Sequence, residues 1–234
     1  MTKDFRIPAL LLAFALAAAP PMDACTRFVY LGPDGRVLTA RSMDWKTDLF
    51  TNLWIFPRGM DRDGAAGPAS LRWKSKYGSV VASAYEGSSP DGLNEAGLMV
   101  NMLWLAESEY PEPDGKTPTV ALSLWGQYYL DQFGSVAEAV ADARKNHFLV
   151  VTGPVPGQDR LAALHLSLSD ATGDSAIFEY INRKLVIHHG REFQVMTNSP
   201  VYDEQLALAK YWRQIGGSVM LPGTNRAADR FARA

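Results

Sequence analysis

The chain has 234 residues, of which 47% are hydrophobic and 21% are charged, a composition typical of one sizeable folded core and not of a disordered chain. Its 23 Lys and Arg residues against 25 Asp and Glu residues give a net charge of −2, which argues against a nucleic-acid partner. One cysteine excludes an internal disulfide, and the four histidines show no metal-ligand spacing. We therefore expect neither a metal nor another cofactor.

The first 24 residues have the pattern of a secretory signal. Two basic residues precede an apolar run over residues 7–19, and small residues then lead to Cys25. The run is too short for a transmembrane helix, and Pro20-Pro21 argues against a buried N-terminal helix. The segment predicts export to the periplasm and a mature domain, residues 25–234, that does not enter the membrane.

Removal of this segment would make Cys25 the first residue of the protein. A cysteine at an N-terminus carries a thiol with an ordinary pKa of about 8.5 and an α-amine with one of about 7.7–8.0. Because the amine can accept the thiol proton directly or through one water, no histidine is needed to make a nucleophile. A lone cysteine is more often a buried apolar residue, and its position after the signal favours catalysis. Either direct cleavage after Ala24, or a cut near Ala18-Ala19 followed by autocatalytic trimming, would expose it.

Alternating apolar and polar residues predict strands in the first half of the mature chain. Residues 26–31 and 36–42 flank a Gly-Pro-Asp-Gly turn and predict a β-hairpin that begins beside Cys25. Further strands are predicted over residues 53–56, 79–84 and 98–103, with a loop over 57–68 and a polar turn over 91–97.

The second half predicts helices, then strands, then helices again. Residues 120–133 are apolar at helical spacing, and Ser135 and Glu138 form a capping box that opens a second helix. A meander of four antiparallel strands is predicted over residues 161–169, 175–181, 184–188 and 192–197, followed by helices over 203–214 and 225–234. Without a long linker or an internal repeat, this order predicts one α+β domain built as a layered sandwich.

Three polar residues near predicted strand ends are candidates for chemistry. Arg41 and Asp44 follow the hairpin and can lie beside Cys25, where a cation favours a thiolate and a carboxylate can hold an amine. An ordinary surface ion pair between the two is equally compatible with their spacing. Asn198 ends the meander just before Pro200, where its amide is either an oxyanion donor or part of a strand-ending turn.

Four further side chains have two interpretations each. Arg226 and Arg230 lie on the predicted C-terminal helix, where a solvated basic face is the ordinary outcome and a site arginine is the alternative. Trp45 and Trp104 belong either to the core or to the wall of an apolar acyl pocket.

Five motifs together resemble a known family. They are Cys25-Thr-Arg, Arg41-Ser-Met-Asp-Trp, Asp91-Gly-Leu-Asn-Glu-Ala-Gly-Leu, Thr197-Asn-Ser-Pro, and Leu221-Pro-Gly-Thr-Asn followed by Asp229-Arg-Phe. Their order and spacing resemble the choloylglycine hydrolases, which are penicillin V acylases and conjugated bile salt hydrolases of the N-terminal-nucleophile superfamily. The signal and the tryptophan-rich segments resemble most the Gram-negative penicillin V acylase branch.

The resemblance implies a role for each matched residue. Cys25 would be the nucleophile and its α-amine the base, with Arg41 tuning the thiol and Asp44 holding the amine. Asn198 would stabilise the oxyanion. Arg230 would be the active-site arginine, with the arginine four positions earlier as the alternative.

One departure from the family concerns the oxyanion site. Where many bile salt hydrolases have an asparagine, this sequence has Trp104, which leaves only a backbone N–H for that role. The substrate pocket, to which we assign Trp45 and Trp104, is then aromatic and favours aryl or fatty acyl groups.

The resemblance also implies a fold and an assembly. The family fold is a four-layer αββα sandwich, and its members continue beyond the last helix of this sequence. We therefore expect a fragment whose second sheet is incomplete. Members of the family often form homotetramers, which makes a tetramer the expected assembly.

Together, the residues and the resemblance predict an enzyme that hydrolyses linear C–N amide bonds. Penicillin V, N-acyl homoserine lactones and conjugated bile salts are its small-molecule candidates. The alternative is a lipoprotein that binds ligands and carries lipid on Cys25, although Met22-Asp-Ala is a poor match to the usual Leu-small-small sequence before a lipidated cysteine. Lipidation would modify both thiol and amine, so the two functions exclude each other. A ceramidase-like or peptide-processing intracellular enzyme shares the N-terminal cysteine but fits the signal less well.

Overall fold

The structure, a computed structural model, describes residues 25–215 and 221–234. The predicted signal, residues 1–24, lies outside these described residues. No helix within them is long and apolar enough to cross a membrane.

Strands and helices alternate in blocks along the described chain. The strands are β1 Thr26–Leu31, β2 Val37–Ser42, β3 Leu53–Phe56, β4 Asp61–Asp63, β5 Arg72–Lys74, β6 Ser79–Ala84, β7 Ser88–Asn94, β8 Met99–Trp104, β9 Thr119–Ala121, β10 Leu149–Val151, β11 Leu164–Ser169, β12 Ser175–Ile181, β13 Lys184–His189 and β14 Val195–Met196. The helices are α1 Trp125–Gln132, α2 Val136–Ala143, α3 Tyr202–Ile215 and α4 Ala227–Arg233.

A small three-stranded sheet has the order β14-β1-β2. Its β1 and β2 form the predicted hairpin, with Arg27 opposite Arg41, and β14 pairs along the other edge of β1, with Arg27 opposite Met196. Cys25 precedes β1, Arg41 is near the end of β2, and Asn198 follows β14. The sheet therefore brings these three residues to one end.

A large sheet of seven antiparallel strands lies beside it, in the order β13-β12-β11-β8-β7-β6-β3. Helices α1 and α2 cover one face, where a core forms around Trp125, Tyr129, Leu130 and Phe178. Burial of these aromatic and aliphatic side chains supplies most of the folding free energy of such a layer.

The opposite face of the large sheet meets the small sheet. Arg27 of β1 is fully buried between them and donates to Leu168 O and to Ser175 Oγ, at 2.9 and 3.1 Å. Burial lowers the pKa of Arg27 to about 10. Helices α3 and α4 lie at the Cys25 end, where Tyr202 and Phe231 join a second core. The predicted α+β sandwich is confirmed, with helices, a large sheet, a small sheet and a second helix pair.

Four sequence predictions need correction. The predicted polar turn over residues 91–97 is mostly strand, since residues 91–94 belong to β7 and only residues 95–97 turn. The Asn94 side chain stabilises the strand against α1 by donating to Leu130 O and Phe133 O. The predicted meander loses its last strand, since β14 pairs with β1 of the other sheet. The predicted loop over 57–68 contains β4, which pairs with β5.

The helix predicted over residues 120–133 also begins later than expected. Residues 119–121 form β9, which pairs in parallel with β10, and a short 3-10 turn then leads into α1 at Trp125. The β-branched Val120 is compatible with either structure, and the parallel partner decides for the strand.

Candidate active site

Cys25 immediately precedes β1 and is 3% exposed. Its backbone nitrogen donates to Asn198 Oδ1 at 2.7 Å, and its carbonyl oxygen accepts a hydrogen bond from Arg230. The segment after β14 and helix α4 thus hold the cysteine backbone from two sides.

Arg41 is the cation beside the thiol. Its Nη2 lies 3.6 Å from Cys25 Sγ and donates to Met102 O at 2.9 Å, while its Nη1 donates to the Asp91 carboxylate. Burial lowers the pKa of Arg41 from 12.5, and the negative charge available on Cys25 opposes that shift. The guanidinium stays charged at neutral pH because its ordinary pKa is far above 7.

Asn198 joins the cysteine to the strand β8. Its Nδ2 donates to Trp104 O at 2.7 Å, and its Oδ1 also accepts from Arg230 Nη2 at 2.9 Å. A side-chain amide carries two N–H bonds, so the contact with Trp104 leaves one of them for another acceptor. This geometry is compatible with an oxyanion donor beside Cys25.

Asp44 and the two C-terminal arginines occupy different places. Asp44 is exposed and accepts a hydrogen bond from Ser42 Oγ at 3.3 Å. Burial lowers the pKa values of Arg41 and Arg230, and the negative charge of Asp44 opposes that lowering. The described contacts give Asp44 no hydrogen bond to Cys25. Arg226 is exposed at the start of α4, whereas Arg230 contacts Cys25 and Asn198, so the structure brings only the second arginine to the cysteine.

A buried polar chain behind Asn198 was missed from the sequence. His165 Nε2 lies 2.8 Å from Thr197 O, and His165 Nδ1 lies 2.9 Å from Glu179 Oε1. The other oxygen of Glu179 accepts from Tyr202 N at 3.0 Å, and Gln205 donates to the carbonyl oxygen of Asn198. A glutamate inside the apolar strand β12 was the available signal, since such a residue is rarely buried without a partner.

An apolar cavity of about 360 Å³ opens beside Cys25. Trp45 and Trp104 form part of its wall with ring centroids 5.5 Å apart, and Arg160 lies over both rings, 4.2 Å from the centroid of Trp104. Trp45 is fixed by a hydrogen bond from its Nε1 to Tyr85 Oη at 2.9 Å. Other lining residues are Met43, Leu49, Met102, Leu122, Val155 and Leu164. A cavity of this kind suits an apolar acyl group.

The described residues contain no preformed metal site. No group of three or more His, Cys, Asp or Glu side chains among residues 25–215 and 221–234 is arranged to hold a metal ion.

Comparisons with known proteins agree with this fold and identify a family. Residues 25–234 match the family model for linear amide C–N hydrolases of the choloylglycine hydrolase family. The penicillin V acylase of Pectobacterium atrosepticum is 58% identical over 96% of this chain, and the bile salt hydrolase/transferase of Clostridium perfringens is 29% identical over 78% of it. The chain spans 62% and 56% of the lengths of these two relatives.

A solved structure gives the same result. The penicillin V acylase of Agrobacterium tumefaciens superimposes with a TM-score of 0.83 at 64% sequence identity, covering 89% of this chain and 63% of that one. The fold is that of an N-terminal-nucleophile hydrolase. Within that class, the chain belongs to the choloylglycine hydrolase family.

Proposed function

We propose that the mature protein hydrolyses the amide bond of small acylated amines, with the Cys25 thiol as nucleophile. The observation that carries this proposal is the position of Sγ, on the wall of the apolar cavity and 3.6 Å from Arg41 Nη2. A thiol beside a guanidinium is a suitable nucleophile because the cation favours the thiolate. Membership of the choloylglycine hydrolase family supports the reaction class.

The first step is export and removal of residues 1–24, which frees the α-amine of Cys25. This amine is the nitrogen that Asn198 Oδ1 now holds at 2.7 Å, and it takes the thiol proton. The thiolate attacks the acyl carbonyl carbon, and the electron pair of the C=O bond moves to oxygen. The second Asn198 N–H and the backbone N–H of Trp104 stabilise that oxyanion.

Collapse of the tetrahedral intermediate breaks the C–N bond and leaves a thioester on Cys25. The α-ammonium gives its proton to the departing amine. A water molecule, deprotonated by the same amine, then attacks the thioester, which releases the carboxylic acid and restores the thiol.

The acyl group of the substrate enters the cavity beside the two tryptophans. Its mostly aliphatic and aromatic walls suit a phenoxyacetyl or fatty acyl group and offer few partners for a polar one. Because two relatives near 60% identity are named penicillin V acylases, we place penicillin V first, before N-acyl homoserine lactones and conjugated bile salts.

Replacement of Cys25 tests the mechanism directly. The full-length protein is produced with its signal in an exporting Gram-negative host, and the purified product is analysed by intact mass, N-terminal sequencing and hydrolysis of penicillin V. We expect unmodified Cys25 as residue one, and less than about a thousandth of the parent rate for Cys25→Ser, because the less acidic hydroxyl is poorly activated. Thermal unfolding checks that the variant is folded.

Two outcomes would contradict this mechanism. A mass increase equal to a diacylglyceryl group at Cys25 would favour the binding lipoprotein, since the modified sulfur is no longer a nucleophile. Full activity in Cys25→Ser, or in a protein that keeps residues 1–24, would remove the N-terminal thiol from the reaction.

The acyl pocket makes a separate prediction for Trp104→Ala. Loss of the indole opens the cavity beside Trp45, and we expect KM for penicillin V to rise about tenfold as apolar and aromatic contacts are lost. The backbone carbonyl that holds Asn198 remains. Trp54→Ala, at an exposed tryptophan of β3, is the matched control and should leave KM unchanged. Steady-state kinetics on both variants decide, and an unchanged KM in Trp104→Ala would place the acyl group elsewhere.

A further inference from the structure

We propose that Asp91 is a positioning residue for the nucleophile, acting through Arg41. The inference rests on the proposed function of Cys25. Asp91 opens one of the five matched motifs, and the resemblance implies no role for it. Asp91 contacts the guanidinium and not the reacting atoms.

Strand pairing places Asp91 behind Arg41. Asp91 of β7 lies opposite Asn101 of β8, and its two carboxylate oxygens are used separately. Oδ2 accepts from Arg41 Nη1, and Oδ1 accepts from Asn101 Nδ2 at 2.7 Å. The Arg41 and Asp91 side chains are only 7% and 14% exposed, and Asn101 is 1% exposed. The carboxylate is thus held from two directions, by Asn101 of the large sheet and by Arg41 of the small sheet.

The planarity of a guanidinium turns this contact into control of the thiol. Its nitrogen atoms lie in one rigid plane, so an acceptor that fixes Nη1 also sets the direction of Nη2. In Arg41, Nη2 is the atom that donates to Met102 O and lies 3.6 Å from Cys25 Sγ. Two acceptors, Asp91 and Met102, therefore define where the cation meets the sulfur.

Charge and position predict opposite results when Asp91 is neutralised. If the carboxylate acted only by charge, its removal would leave a stronger positive potential at Sγ and a more reactive thiol. If it acts by position, its removal frees the guanidinium and weakens the contact with Sγ. An unpaired buried guanidinium is also energetically costly, which favours rotation of the arginine toward water or toward Asp44.

Asp91→Asn is the first variant. An asparagine at this position has an NH2 group in place of one carboxylate oxygen, so either Arg41 Nη1 or Asn101 Nδ2 would face another N–H, while the side-chain volume is almost unchanged. We expect kcat for penicillin V to fall about tenfold or more with KM within about twofold. We also expect slower alkylation of Cys25 by iodoacetamide across pH 6 to 9, because a misplaced cation favours the thiolate less.

A double-mutant cycle shows whether the effect passes through Arg41. In an Arg41→Lys background, which has no rigid fork to orient, adding Asp91→Asn should change kcat by less than about twofold. Glu95→Gln is the matched control: its carboxylate lies in the same motif and pairs with exposed Arg58, so kcat and the alkylation profile should stay unchanged.

Asn101→Ala provides a variant that keeps the ion pair. It removes only the contact to Oδ1, and we expect the same changes as in Asp91→Asn with smaller size. Should Asp91→Asn fail to fold, as judged by thermal unfolding, this variant carries the test. Equal effects of Asp91→Asn with and without Arg41, or faster alkylation with kcat unchanged, would overturn the proposal. Alkylation is measured without substrate, so an inactive parent enzyme would refute the proposed function and leave this test readable.

Discussion

Asn198→Ala is expected to lower kcat for penicillin V about 100-fold to 1000-fold, the usual cost of losing one oxyanion donor. The side chain also holds the Cys25 nitrogen at 2.7 Å and the Trp104 carbonyl at 2.7 Å. The same change therefore removes the link that fixes the Cys25 amine, the proposed base, relative to the acyl pocket. KM should change much less, because the acyl cavity does not depend on this amide. Burst and steady-state kinetics on the variant measure both effects.

Asn198→Asp separates the two roles of this side chain. The aspartate keeps an acceptor for the Cys25 nitrogen and for Arg230 but has no N–H for an oxyanion or for Trp104 O. We expect its kcat to fall as far as that of the alanine variant. Asn52→Ala, at an exposed asparagine that contacts Glu86, is the control and should retain the parent rate. A kcat within about threefold of the parent value in Asn198→Asp would assign Asn198 to holding the cysteine alone.

The sequence pattern predicted the half of the site that depends on local structure. Alternation and a turn set the hairpin β1–β2, and the hairpin by itself places Arg41 beside the residue that precedes β1. Asn198 is 173 residues from Cys25, and its place beside the cysteine depends on β14 pairing with β1. Period-two alternation predicts a strand but not its partner, so the pattern put β14 in the wrong sheet.

Polar residues inside the sandwich were the hardest to assign from local chemistry. Asp91 and Asn94 belong to a polar, glycine-bearing stretch that has the composition of a turn, yet both lie in β7. Gly92 lets the strand pass close to α1, because a Cβ at this position would come within 2.5 Å of the Leu130 side chain. The packing against α1 and the hydrogen bonds from Asn94 to the last turn of that helix are tertiary contacts, which the local propensities of the residues do not predict.

The resemblance supplied the roles that the pattern left open. For Arg226 and Arg230, helical spacing makes an exposed basic face the ordinary outcome for both. The structure separates them, because only Arg230 reaches the Cys25 carbonyl across the second core. Arg160 had no signal at all, since it comes from the loop between β10 and β11 and meets Trp104 through folding alone.

Glu179→Ala is expected to lower the free energy of unfolding by about 3–5 kcal/mol, because it leaves two buried polar groups without their partner, each at a cost of about 1–3 kcal/mol. Glu179 and His165 are buried at 1% and 0% exposure, and the substitution leaves His165 Nδ1 and Tyr202 N without their hydrogen-bond partner. Urea unfolding followed by tryptophan fluorescence measures the change.

Its control is Glu95→Ala, because the carboxylate of Glu95 pairs with Arg58 at the surface, where ion pairs contribute little. The stability loss in Glu179→Ala should therefore be much larger than in the control. Because His165 also holds Thr197 O at 2.8 Å, the variant should lose activity at temperatures below its unfolding transition, as Asn198 shifts with its neighbour. Equal stability in both variants would show that the pair is not a determinant of the fold, and full activity up to the transition would show that Asn198 is held by Gln205 and Arg230 alone.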